Sequence, residues 1–202
     1  MKDNGITKFL TNNDTFSAAR IHLEGMSQDF LPSFGIGFLN ILHTHFLKSP
    51  DAICLGYYKK SRLYGVIVGC TDTSRFLKKV VTRGFWQFLP IVLPKLILSP
   101  KKLYYVLQTL FYGQDKFDTS KSELIILSVS KEVRRQGIGT ILLKALKKEF
   151  KQQHITSFKV GALSTNQTAN TFYQKLGGVF SHTISIYGKK WNVYKYDFYN
   201  SV

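Results

Sequence analysis

The stretch that most constrains this chain is Glu123–Phe150, ELIILSVSKEVRRQGIGTILLKALKKEF. Leu124–Val129 is a short apolar, β-rich run, which predicts a buried strand. Ser130–Gln136 is polar and cannot continue that core. From Gly137 onward Ile138, Ile141, Leu142, Ala145, Leu146 and Phe150 recur at the three-and-four spacing of an amphipathic helix. The segment therefore reads as strand, basic turn, glycine-rich helix start. The first turn of a helix leaves backbone N–H groups unpartnered, and the helix dipole favours negative charge there. Gly137 and Gly139 place no side chain in the way, and Arg134 and Arg135 add positive charge. Such a turn suits a phosphate or pyrophosphate. It also suits an ordinary strand-to-helix junction with a basic surface.

The pattern R-x-x-G-x-G, formed by Arg134, Gly137 and Gly139, is neither a Walker loop nor the dinucleotide fingerprint. It resembles the acyl-CoA pyrophosphate loop of the GNAT superfamily of N-acyltransferases. A second block, Asn166–Gly177 (NQTANTFYQKLG), is similar to that superfamily's N-x-x-A-x-x-F-Y-x-K-x-G segment. The resemblance implies that the strand residues Leu127, Ser128 and Val129 hold the pantetheine arm, Leu127 and Val129 through their backbone. It implies that Arg134, Arg135, Gln136, Gly137, Ile138, Gly139 and Thr140 surround the pyrophosphate, and that Asn166 meets the start of the coenzyme. Glu123 stands where the superfamily often places a glutamate acting as base through a water, and Tyr173 where its tyrosine protonates the departing thiolate. A primary amine is only about one part in 2,500 neutral at pH 7, so a base is useful. Glu123 also reads as an edge carboxylate paired with a lysine, and Tyr173 as an aromatic packed beneath the coenzyme. His43, His45 or a water chain are the other bases. One departure is the Gly178-Val179 pair after Gly177, where the superfamily commonly has an aromatic; it predicts looser packing around the sulfur.

The rest of the chain predicts a β-α-α-β-β-insertion-β-α-β-α-β-β order: an α/β fold with a mixed central sheet and helices on both faces, a single domain over residues 1–202. Phe30 and Phe34, in the loop between the first two helices, are candidates to line the acceptor pocket, as well as plain core aromatics. Gly65 and Gly69 mark a bulge or a close backbone approach. Tyr199 is read as the end of the last strand. A segment at about 74–114, after the third strand, is an insertion with seven basic residues, no acidic one, and many large apolar groups. Pro90 and Pro94 predict a break into two or three short helices. The insertion reads as a lid over a bulky acceptor, a patch on an anionic membrane, a packed helical layer, or a dimer contact.

Two cysteines without C-x-x-C spacing, and no apolar signal region, point to a reducing cytoplasm. No H-x-x-x-H pair suggests a metal. The net charge of +16 points to an anionic partner. The function expected is acetyl transfer from acetyl-CoA, as donor, to a primary amine by direct attack in a ternary complex. The acceptor is an amino sugar or another small metabolite; the alternatives are a protein N-terminus or lysine. A further alternative is a non-catalytic CoA-binding module that contacts RNA or an anionic membrane.

Overall fold

The structure, a computed structural model, describes residues 5–27, 29–111 and 120–198. The expectations for residues 112–114 of the insertion and for Tyr199 lie outside those residues. The described elements are β1 (Ile6–Phe9), α1 (Thr15–Gly25), α2 (Ile36–Leu47), β2 (Ala52–Lys59), β3 (Arg62–Cys70), α3 (Thr73–Ile97), α4 (Pro100–Phe111), β4 (Glu123–Val129), α5 (Ile138–Gln152), β5 (Ser157–Leu163), α6 (Gln167–Lys175), β6 (Val179–Ile186) and β7 (Lys189–Asp197). The strands form a seven-stranded mixed sheet in the order β1-β2-β3-β4-β5-β7-β6. β4 and β5 run parallel, and the other neighbouring pairs antiparallel.

The centre of the sheet is buried on both faces, while the edge strands β1 and β6 are largely exposed. On one side Ala18, Ile21, Leu39, Phe46, Phe76 and Val80 of α1, α2 and α3 pack over β2, β3 and β4. On the other, Leu142, Leu143, Leu146 and Phe150 of α5 pack with Tyr173, Phe158 and Tyr196. Gly65 and Gly69 let α5 settle on β3. A Cβ at Gly69 would lie 2.6 Å from Leu146 and 2.8 Å from Phe150, and one at Gly65 2.9 Å from Leu142.

Gly69 also marks a bulge. Val68 pairs with Ile126 but Gly69 pairs with Leu124, so Ile125 is an extra residue on β4. A bulge lets two successive residues share a face. Ile125 and Ile126 both pack into the α1–α3 layer, while Leu124 and Leu127 pack into the α5 layer. The bulge lies two residues from Glu123, at the start of the strand that carries the motif.

The insertion differs from expectation. Pro90 and Pro94 do not end the helix: α3 runs unbroken through both, for 25 residues. Each proline removes one donor, and the carbonyls left over belong to Trp86 and Pro90, both on the exposed side of α3 where water can satisfy them. The inner side is held by packing. Phe88 lies 5.0 Å from the Phe38 ring and 5.7 Å from His45. Some basic residues of the insertion are tied to the rest of the fold. Lys79 pairs with Asp51 at 2.7 Å and Arg75 with the same carboxylate at 3.6 Å. Lys95 donates to the carbonyls of Ser33 and Phe34 at 3.2 and 2.9 Å. Among the described residues no helix is long and apolar enough to cross a membrane.

Candidate active site

β4 pairs with β5 only at Glu123↔Lys159 and Leu124↔Val160. β5 continues against β7 as far as Leu163, so the two central strands part after two residues. The β4 edge beyond Leu124 is therefore open to an added extended chain. Leu127 and Val129 are half-buried along it. Ser128 turns to the other layer, where its hydroxyl donates to the Ile21 carbonyl at 2.7 Å.

The turn after β4 is built from two left-handed residues, Arg135 at φ +61° and Gly137 at φ +80°. The second costs little because it is glycine. Arg134 is held against the strand: Nε donates to the Val129 carbonyl at 3.0 Å and Nη2 to that of Glu24 at 3.5 Å. Arg135 and Gln136 are exposed. The space where a Gly137 Cβ would stand is open, whereas one at Gly139 would touch the Phe172 ring at 3.4 Å. Ile138 is buried in the α5 core, so only its backbone can face a ligand; Thr140 is half-buried. The first-turn N–H groups of α5 thus open onto a basic surface on the same side as the open edge of β4. These residues fit a pantetheine arm followed by a pyrophosphate.

On the α1–α3 face lies a cavity of about 160 Å³, lined among others by His22, Phe30, Glu123, Ile125, Tyr187 and Trp191. Glu123 is 4% exposed. Thr73, the first residue of α3, donates its hydroxyl to Glu123 Oε2 at 2.9 Å, and Lys159 Nζ lies 3.9 Å from the same oxygen. Both readings of Glu123 are thus present together: it is paired with a lysine and it faces the cavity. Phe30 is on the wall. Phe34 is not; it stands behind, with its ring 5.2 Å from that of Phe30.

A second pocket of about 260 Å³ opens outward and shares Asp29, Phe30, Tyr187 and Trp191 with the first. Tyr187 holds a left-handed conformation (φ +56°) in the β6–β7 turn, followed by Gly188 at φ +69°. This is the pairing of a tight hairpin turn. The insertion clamps it: the Tyr187 N–H donates to Gln108 Oε1 at 2.9 Å, and its hydroxyl shares a 2.9 Å hydrogen bond with Thr109. Tyr105 packs edge-on against both the Phe30 and Tyr187 rings, 5.4 and 5.7 Å away, and those two rings are themselves 4.8 Å apart. α4 thereby bridges the α1–α2 loop and the β6–β7 turn, roofing the cleft.

Tyr173 is in the other layer, 6% exposed, beside Tyr194. Burial raises its pKa, so the phenol keeps its proton. It does not line the cavity that Glu123 faces; Glu123 and Tyr173 flank the sheet from opposite faces. Gly178 corrects one expectation. The packing is tight there: a Cβ would stand 2.9 Å from the Tyr173 carbonyl and 3.0 Å from the Tyr196 hydroxyl, which donates to that carbonyl at 2.9 Å. Tyr196 supplies the aromatic bulk from β7. Asn166 caps α6, its Oδ1 accepting from the Ala169 N–H at 3.0 Å.

His43 is buried against His22, sharing a 3.3 Å hydrogen bond, and burial lowers them to about 3 and about 4 respectively. His22, not His43, reaches the cavity. His45 bonds Gln87 at 2.8 Å. Sequence reasoning missed Asp29, Thr73, Lys159, Tyr187 and Trp191. A lysine inside the apolar strand SFKVGAL was a visible signal for Lys159. The other four carried none, because their neighbours come from distant parts of the chain.

The sequence profile described as the Acetyltransferase (GNAT) family matches residues 23–178. N-alpha-acetyltransferase 60 from Xenopus tropicalis is 38% identical over 60 residues, 28% of this chain and 25% of that protein. The match therefore spans about a quarter of that relative's length. Ribosomal-protein-alanine N-acetyltransferase from Brucella melitensis superposes with a TM-score of 0.63 at 13% identity, covering 96% of this chain and 99% of that one. The PaiA N-acetyltransferase from Thermoplasma acidophilum, solved in complex with coenzyme A, gives 0.61 at 16% identity, covering 95% and 99%. At such identities the likeness is one of fold. With the profile spanning the parted strands, the left-handed glycine turn and the Asn166–Gly177 block, the chain belongs to the acetyltransferase (GNAT) family.

Proposed function

We propose that this protein transfers an acetyl group from acetyl-CoA to the primary amine of a small molecule, such as an amino sugar, by direct attack in a ternary complex. One observation carries the reading: a single strand, β4, begins with a cavity-facing carboxylate, continues as an open edge, and ends at a basic glycine turn. The open edge of Leu127–Val129 and the N–H groups of Gly137–Thr140 bind and orient the donor, which brings an activated thioester carbonyl. Holding both reactants removes much of the entropic barrier to their meeting. Glu123, directly or through a water, takes a proton from the incoming ammonium. Lys159 sets a positive charge 3.9 Å from the carboxylate and the Thr73 hydroxyl fixes its orientation. As the C–N bond forms and the C–S bond breaks, Tyr173 gives its phenolic proton to the leaving sulfur, and the second proton lost by the attacking nitrogen restores the phenol. Both cysteines are buried and burial raises their pKa, which disfavours an acyl-cysteine route.

The roof formed by α4 favours a small acceptor. A polypeptide lying across the α1–α2 loop and the β6–β7 turn would meet Tyr105 and the Tyr187 clamp. The match to N-alpha-acetyltransferase 60 supports a second reading, a protein N-terminus inserted end-on.

Mass spectrometry of products from acetyl-CoA with a panel of amines, amino sugars and peptides tests the assignment. Acetylated small amines are expected; exclusive acetylation of peptides would overturn the acceptor class. Glu123→Gln should lower the rate most at neutral pH and recover in part as rising pH deprotonates the amine. A wild-type pH profile in that variant places the base elsewhere. Tyr173→Phe should keep donor affinity and lose roughly 10²–10⁴-fold in turnover, less with a thioester whose thiol leaves more easily.

A further inference from the structure

We propose that the acceptor amine carries a phosphate group, seated in the outer pocket with the amine directed toward Glu123; this rests on the acetyl-transfer reading of the site. The two joined pockets differ in charge. The inner cavity holds carboxylates, Glu123 and Asp29. The outer pocket gathers Lys101, Lys102 and Lys189 around Asp29 alone. Asp29 lies 3.9 Å from Lys189, and that pair offsets itself. Lys101 and Lys102 face no carboxylate among the described residues; their neighbours are the Tyr105 and Phe34 rings at 5.8 and 5.9 Å. Both lie in the first turn of α4, a 12-residue helix whose dipole adds positive potential at that end.

The unmatched charge therefore lies at the outer end, on Lys101 and Lys102, while the carboxylate at the inner end, Glu123, is paired with Lys159. That pattern orients a zwitterion, with its ammonium inward at Glu123 and its phosphate outward at the lysines. A bare polyamine would meet the lysines on entry and is disfavoured. The walls between the two charge zones are flat: Phe30, Tyr105, Tyr187 and Trp191 all border the outer pocket. Such faces suit a sugar or a base plane. Two sources supply this chemistry, a simple sugar phosphate or a nucleotide-linked amine, and the second would also occupy the aromatic wall.

The test is calorimetric titration of the full-length protein, saturated with CoA to fill the donor site. The ligands are a free hexosamine, its phosphate ester and a nucleoside-diphosphate hexosamine. The phosphate-bearing ligands should bind roughly tenfold tighter or more than the free amine, as charge-assisted hydrogen bonds imply. Lys101→Glu and Lys102→Glu should each erode that preference, with melting curves showing that the fold is kept. If Trp191→Leu weakens the nucleotide conjugate more than the simple phosphate, the source is a nucleotide; equal loss points to a sugar phosphate. Equal affinity for free and phosphorylated amines overturns the proposal, as does a preference that survives both charge reversals. Binding is read without turnover, so failed acetyl transfer with intact phosphate preference would count against the proposed reaction alone.

Discussion

Gly137 and Gly139 sit two residues apart and do different work. Gly137 holds a left-handed backbone with open space beside it, where any L-residue would be strained. Gly139 has an ordinary helical backbone, and its bare Cα lets Phe172 of α6 close against the first turn of α5. Glutamate at either position would put negative charge at the helix start. Gly137→Glu and Gly139→Glu should each weaken CoA binding roughly tenfold or more in calorimetry while the circular dichroism spectrum stays native. Unchanged affinity in both would remove the donor site from this turn. Asn170 shows how much one buried polar residue can organise. Its amide donates to the Leu163 and Asn166 carbonyls at 2.8 and 2.7 Å, and its Oδ1 accepts from Asn192 and Tyr194 at 3.0 and 2.8 Å. All four possibilities of the side chain are used, tying α6 to β5 and β7.

At the scale of elements, α5 and β3 meet through missing side chains. Gly69 lies under Leu146 and Phe150 where the bulge of β4 begins, so the same residue admits the helix and sits at the register shift. Gly69→Val should destabilise the protein by about 1–3 kcal/mol, read as a shift of the urea midpoint, because both contacts are already below 3 Å for a Cβ alone. A neutral result would mean that α5 can shift away from the sheet. α3 and α4 illustrate the opposite case, an element defined by what it docks on. Its start, Thr73, reaches the Glu123 carboxylate, and its second helix roofs the cleft where the acceptor is proposed to bind. The outer stripe of α3 keeps Trp86 and Ile97 at 79% and 74% exposure, facing away from that cleft.

At the scale of the whole molecule, the His22–His43 pair gives the fold a defined acid limit. Burial holds the two imidazoles at about 4 and about 3, against an ordinary value near 6.5. Between those values the unfolded chain binds more protons than the folded one, so stability rises with pH there. The stabilisation is complete above about 6.5 and is lost as pH falls toward 4 and then 3. Urea midpoints should be flat near neutrality and fall below pH 6.5, on the order of 1 kcal/mol per pH unit for each imidazole. His22→Asn with His43→Gln should flatten that slope; an unchanged slope in the double variant would assign the acid loss to other groups.

Local pattern by itself determined the order of strands and helices, the insertion after the third strand, and the basic glycine turn proposed as the donor side of the site. Those features depend on short-range causes: period-two and period-3.6 burial, helix caps, and glycine where the backbone must turn left. The turn proposed to hold the donor was legible because a phosphate cradle is made by consecutive residues on one turn. The proposed acceptor side was not, because its walls come from residues near 29, 73, 123, 187 and 191, which meet only when the sheet, α3 and the β6–β7 turn pack together. The two prolines make the same point from the other direction. Locally they forbid a helix interior, but a packed inner face and a wetted outer face outweigh two lost hydrogen bonds. Tertiary packing alone decided that the insertion is one long helix and a roof, and so decided the shape and charge of the space where the acceptor is proposed to bind.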